Sequence, residues 1–136
     1  MATEHKHSPV TEIETITPRF CETDALGHIN NVSYAAWLEQ GRMRYFMTHL
    51  DKDRNPFMMV KIEINYRNES FHGTDVEVHT FLSRLGNSSL TLSQNIYQNG
   101  NHVVESTTTL VNYDFDNKCS LAFDETQRAQ LTALMG

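Results

Sequence analysis

The run Asp24-Ala25-Leu26-Gly27-His28-Ile29-Asn30-Asn31 combines residue types and a spacing from which chemistry can be read. It stands between a strand-like segment and the one long helical pattern, so a carboxylate sits at the mouth of a helix. Backbone N–H groups of a first helical turn have no acceptor within the helix and favour negative charge. A base or nucleophile beside donors aimed at a developing oxyanion is what acyl transfer requires. Each residue also has a plain structural role. Asp24 suits a turn or cap, the His28 ring can orient the loop, and Asn30 and Asn31 can cap the helix while a backbone N–H polarises a carbonyl.

Hydrophobic periodicity supplies the elements that must hold this loop. Val10 to Phe20 reads as a strand with Pro18 near its end, and Asn31 to about Leu50 as the helix. Met58 to Tyr66 alternates, with Met58, Val60, Ile62, Ile64 and Tyr66 on one face. Val76 to Leu85, Leu90 to Tyr97 and about His102 to Phe115 follow as strands, with Gly86-Asn87 and Asn99-Gly100 as turns. Asp124 with Gln127 three residues on signals a short closing helix. The expectation is α+β: one strand, a long helix and a four-strand antiparallel meander.

At about 100° per residue the apolar side chains of the long helix cover most of its circumference, which predicts a helix largely enclosed by sheet. Ser33, Gln40, Arg44 and Thr48 form a narrow polar side with Trp37 among them, while Glu39 and Arg42 interrupt the apolar arc and suggest an ion pair. Gly41 in mid-helix predicts close approach of another backbone. Four strands with unpaired edges predict that two chains join sheets.

The chain has 136 residues and a net charge of -6. That length fits a tail at 1–8 and a single domain at 9–136. The acidic balance argues against nucleic acid, although an anionic small ligand needs only a few local cations. Nothing resembles a signal peptide or a bilayer span, so a cytoplasmic protein without membrane association is expected. Cys21 and Cys119 make no metal or redox spacing, and the scattered histidines, His5 and His7 included, suggest no metal site.

The stretch from Phe20 to Phe46, with Asp24, Gly27-His28-Ile29-Asn30-Asn31, Tyr34, Trp37, Glu39, Arg42 and Tyr45-Phe46, resembles the signature of hotdog-fold acyl-CoA thioesterases of the 4-hydroxybenzoyl-CoA thioesterase type. The resemblance implies a hotdog fold, a homodimer or homotetramer with sites at the subunit interface, and hydrolysis of an acyl-CoA substrate without metal or redox cofactor. It implies Asp24 as nucleophile or general base and the Asn31 N–H as oxyanion donor. Glu39 is the second carboxylate candidate, because some hotdog thioesterases carry theirs on the helix. His28, Tyr34 and Trp37 become candidates for substrate binding, and the turn from Arg84 to Ser89, with Arg84 and Ser88, for the CoA phosphates. Arg67 and Lys61 are further candidate cations. A hydratase or dehydratase pairing Asp24 with His28, or a non-catalytic acyl-CoA-binding protein, are the alternatives.

Overall fold

A computed structural model describes residues 8–50 and 57–136. The expected tail falls almost wholly outside the described residues, as do His5 and His7. Strand β1 spans Thr11–Ile16, helix α1 Asn31–His49, β2 Phe57–Tyr66, β3 Val76–Leu85, β4 Ser89–Gln98, β5 Asn101–Asp114, β6 Cys119–Ser120 and helix α2 Glu125–Leu134. The architecture is α+β, with helices packed on one antiparallel sheet.

β1 is shorter than expected. Pro18 cannot donate to a ladder, and Phe20–Glu22 instead form a short 3-10 turn leading into the Asp24 loop. The order β1-β3-β4-β5-β2 corrects the four-strand meander. Only β3, β4 and β5 follow one another; β2 lies on the far side of β5. The reason is the connection from Arg67 to Asp75, too long for a hairpin, which crosses the end of the sheet and pairs Phe71 with His28 on the way. The β4–β5 turn is as read: Asn99 and Gly100 both have positive φ, 52° and 78°, as a two-residue hairpin requires. Asp124 and Gln127 cap α2 reciprocally.

The alternation of β2 survives only in part. The ladder slips between Met59 and Lys61, so Val60 bulges and is 57% exposed. β2 and β1 form the two edges of the main sheet.

Helix α1 is not enclosed within one chain. Tyr34, Trp37, Leu38, Gly41, Arg42, Tyr45 and Phe46 face the sheet, whereas Val32, Met43 and Met47 are exposed. The supposed polar side is divided. Ser33 and Trp37 are buried, while Gln40 and Arg44 reach the β1 carboxylates Glu14 and Glu12. Arg42 makes no ion pair with Glu39; its Nη1 donates to Gln94 Oε1 at 3.2 Å, and Glu39 is exposed. Burial lowers the Arg42 pKa from its usual range, against the attraction of the Glu39 charge.

Beneath the middle of α1 a polar row crosses the sheet. Thr80 of β3, Gln94 of β4 and Ser106 of β5 lie in register, with buried Thr108 beside them. The Gln94 amide donates to the Leu38 carbonyl and to Thr80 Oγ1. This row separates two apolar clusters, one around Tyr34, Trp37, Val76 and Val104, the other around Tyr45, Leu82, Leu92 and Leu131.

Gly41 rests directly on the row. The close approach comes from side chains, not from the backbone expected: a Cβ at this position would meet Val78 Cγ1 at 2.7 Å, Gln94 Nε2 at 3.0 Å and Thr80 Oγ1 at 3.1 Å. Gly41→Ala sets a helix-propensity gain of about 1 kcal/mol against an overpacking cost of about 1–3 kcal/mol. Val78 is β-branched and fixed in the sheet, so the clash wins. Chemical denaturation should show a net loss of up to about 2 kcal/mol, and a raised midpoint would contradict the close packing.

Candidate active site

The Asp24 loop is a small closed unit. Thr23 and Ile29 bridge its ends, the Asp24 N–H donates to the His28 carbonyl at 2.7 Å, and the Gly27 N–H donates to the Asp24 carbonyl at 3.2 Å. The carboxylate completes the closure: Asp24 Oδ1 accepts the Leu26 N–H at 2.8 Å and the His28 N–H at 3.0 Å. One oxygen therefore serves the loop. The other, Oδ2, has no hydrogen-bond partner among the described residues, and Asp24 itself is exposed.

Where the loop enters α1, Asn30 is the N-cap. Its Oδ1 accepts the Ser33 N–H at 2.8 Å and the Ser33 hydroxyl at 2.9 Å, and its own N–H donates to the Glu22 carbonyl at 2.8 Å. Asn31 is the first helical residue, and no acceptor among the described residues engages its N–H. The loop docks on the β2–β3 connection, because the Ile29 N–H donates to the Ser70 carbonyl at 3.1 Å.

Asp24, His28, Ile29, Asn31, Tyr34, Tyr66, Arg67, Asn68 and Glu69 line one open pocket of about 560 Å³. Tyr34 forms its inner wall, its hydroxyl hydrogen-bonded to Ser70 Oγ and its ring 5.7 Å from that of Tyr66. Burial raises the Tyr34 phenol pKa above its ordinary value, so the group stays neutral. The His28 ring stands edge-on to Phe71 at 5.2 Å, with Nε2 3.6 Å from Glu69 Oε1. Arg67 donates to Glu105 Oε1 at 2.8 Å and holds that carboxyl below the usual range, mainly through the hydrogen bond. Among the described residues no three His, Cys, Asp or Glu side chains gather as a metal site would require.

The structure thus brings Asp24, His28, Asn31, Tyr34 and Arg67 together, and the remaining sequence candidates lie elsewhere. Trp37 is buried in the core and donates its indole N–H to Glu22 Oε2 at 2.9 Å. Glu39 is exposed on α1 and lines no part of this pocket. Arg84 follows a bulge at the far end of β3, roughly 27 Å along the strand from Val76 at about 3.4 Å per residue. Ser88 lies in the next turn, where its carbonyl accepts the Asn112 N–H at 2.8 Å. Lys61 pairs with Glu63 on β2. Sequence reasoning missed Tyr66 at the end of β2, Asn68 and Glu69 of the β2–β3 connection, which line the pocket, Ser70, which holds the Tyr34 hydroxyl, and Glu22, whose partner is fifteen positions away.

The thioesterase-like superfamily model matches residues 18–131. The chain belongs to that family. A predicted thioesterase from Bacillus stearothermophilus is 33% identical, covering 93% of this chain and 98% of its own, with a TM-score of 0.85. A thioesterase from Thermus thermophilus, solved in complex with coenzyme A and Zn, is 27% identical over 91% of this chain and 93% of its own, with a TM-score of 0.81. At 12% identity, a 1,4-dihydroxy-2-naphthoyl-CoA thioesterase from Synechocystis, covering 91% of this chain and 97% of its own with a TM-score of 0.79, shares the fold. No curated protein matches the chain significantly. The protein is a hotdog-fold thioesterase, a thioester hydrolase. No helix among its described residues is long and apolar enough to cross a membrane.

Asn30→Ala removes the side-chain acceptor for the first turn of α1 beside the open Asn31 N–H. Such a cap is worth about 1 kcal/mol. Denaturation of this thioesterase variant should show a loss of that order, and a loss below a few tenths would mean that the turn is held by other contacts.

Proposed function

We propose that the protein hydrolyses acyl-CoA thioesters to a carboxylate and free CoA in the pocket of Asp24. The observation that carries this reading is that the Asp24 carboxylate, with one oxygen unengaged, and the first residue of α1, with its N–H open, line the same pocket. Asp24 would attack the thioester carbonyl carbon or take a proton from water that does so, and the Asn31 N–H would stabilise the charge developing on the carbonyl oxygen. With Asp24 as base, water adds to the carbonyl carbon, the C–S bond breaks and the proton taken from water passes to the CoA thiolate. With Asp24 as nucleophile, the C–S bond breaks as an acyl-Asp24 anhydride forms, and water then cleaves that anhydride to release the carboxylate, its proton going to the thiolate. The thioesterase bound to coenzyme A at 27% identity supports CoA as the carrier.

Asp24→Asn is a clean test, because an amide oxygen retains the acceptor for the Leu26 and His28 N–H groups and removes the charge. The fold should persist while kcat for acyl-CoA falls about 100-fold or more. Near-wild-type kcat would reject Asp24; the same loss in a folded Glu39→Gln variant would move the role to the helix. Enoyl-CoA hydration followed in parallel tests the hydratase alternative for the Asp24 and His28 pair.

The site reading includes a second copy of the chain. β2 ends the main sheet with a free edge, Val32, Met43 and Met47 lie bare on α1, and Tyr66, at the end of β2, lines the pocket. A partner joined along β2 would stand beside the site and could present cations such as Arg84 that one chain holds far away. Sedimentation at micromolar concentration should give a dimer or larger species, and an active monomer would defeat the shared site.

A further inference from the structure

Glu22 is a carboxylate with almost no access to solvent, 6% exposed, and both of its oxygens are engaged. Oε1 accepts the Arg19 backbone N–H at 2.7 Å and Oε2 accepts the Trp37 indole N–H at 2.9 Å. Nearby charge compensation is thin: Arg19 Nε lies 3.5 Å from Oε1 on a side chain that is 74% exposed. Burying a carboxylate is costly, and an apolar side chain would fill the space at lower cost. A hold on two donors is what the carboxylate adds.

Those donors belong to different elements. Arg19 begins the 3-10 turn before the loop, and Trp37 stands in the second turn of α1. The backbone of Glu22 also carries both ends of the Asp24 loop: Thr23 continues directly from it, and the Asn30 N–H returns to its carbonyl at 2.8 Å. We propose that Glu22 is a positioning residue that fixes the Asp24 carboxylate relative to the first turn of α1 through the Trp37 indole. The proposal rests on the reading of Asp24 as the reactive carboxylate. Displacing a reacting group by about 1 Å can cost about 100-fold in rate. A brace of this kind therefore acts on turnover more than on substrate binding.

The test compares Glu22→Gln, Trp37→Phe, their double variant and Asp24→Asn in the full-length protein. An amide offers one acceptor and turns its NH2 toward the second donor, so Glu22→Gln must release either Arg19 or Trp37. Its kcat for acyl-CoA should fall about tenfold, with KM within about twofold. Trp37 is the sole tryptophan, so its emission reports directly on loss of the anionic acceptor and should shift in folded Glu22→Gln. Trp37→Phe should lose kcat to a similar extent, and the double variant should lose no more than the worse single one, since both break one link. Wild-type kcat in Glu22→Gln despite shifted emission, or multiplying losses in the double variant, would overturn the brace. If Glu22→Gln does not fold, Trp37→Phe decides, and wild-type kcat there overturns it equally. Asp24→Asn separates the two readings: retained kcat brings down the catalytic assignment, whereas an inactive Asp24→Asn beside an unimpaired Glu22→Gln brings down only the brace.

Discussion

The first turn of α1 holds more backbone donors than the described residues supply acceptors for. Asn30 takes up the Ser33 N–H, but that of Asn31 is left to whatever enters the pocket. A donor left unpaired is costly unless water or a ligand reaches it, so this end of the helix must stay open. It must also stay in place. Gly41 does that from ten residues away, by resting α1 on Val78, Thr80 and Gln94 with no room for a further atom. Helix, loop and pocket are thereby referred to one point of the sheet.

That point is polar. Thr80, Gln94, Ser106 and Thr108 cross the sheet between two apolar clusters, with Arg42 descending onto Gln94. The hydroxyls of Ser106 and Thr108 find no partner among the described residues. What fixes one arrangement is the bonded part of the row, Gln94 with Thr80, the Leu38 carbonyl and Arg42, because few other registers satisfy those groups. Such a row resists sliding of the helix along the sheet, whereas an unbroken apolar interface would permit several registers.

The helix, its cap and most strand bounds were legible because they are local: periodicity marks Asn31 to His49, and Asn99-Gly100 marks its own turn. The Asp24 loop was legible for the same reason, as residue types in sequence order. Strand order was not, since alternation says which residues share a face and nothing about which strand lies beside which. The bulge at Val60 was equally hidden, because an inserted residue breaks the alternation without a change of composition. Arg42 was misread as the partner of Glu39 because helical spacing brings the two close, while Gln94, its true partner, comes from a strand fifty-two positions on. Of the pocket wall after β2, only Arg67 was legible, as a candidate cation; Tyr66, Asn68 and Glu69 were hidden on similar grounds.

The crossing of β2 to the far side of β5 also orders events in time. β1 must wait for β3, with Thr11 facing Phe81, and β2 must wait for β5, with Phe57 facing Asn112. Pairings so distant in sequence close slowly, because the entropy of the intervening loop is lost before any contact repays it. During synthesis the Asp24 loop has no floor until Ser70 has followed it from the ribosome, and β2 must wait for β5, its partner among the described residues. The Asp24 loop thus depends on residues that follow it in the chain. Local structure in α1 should therefore form ahead of the long-range pairings of the sheet.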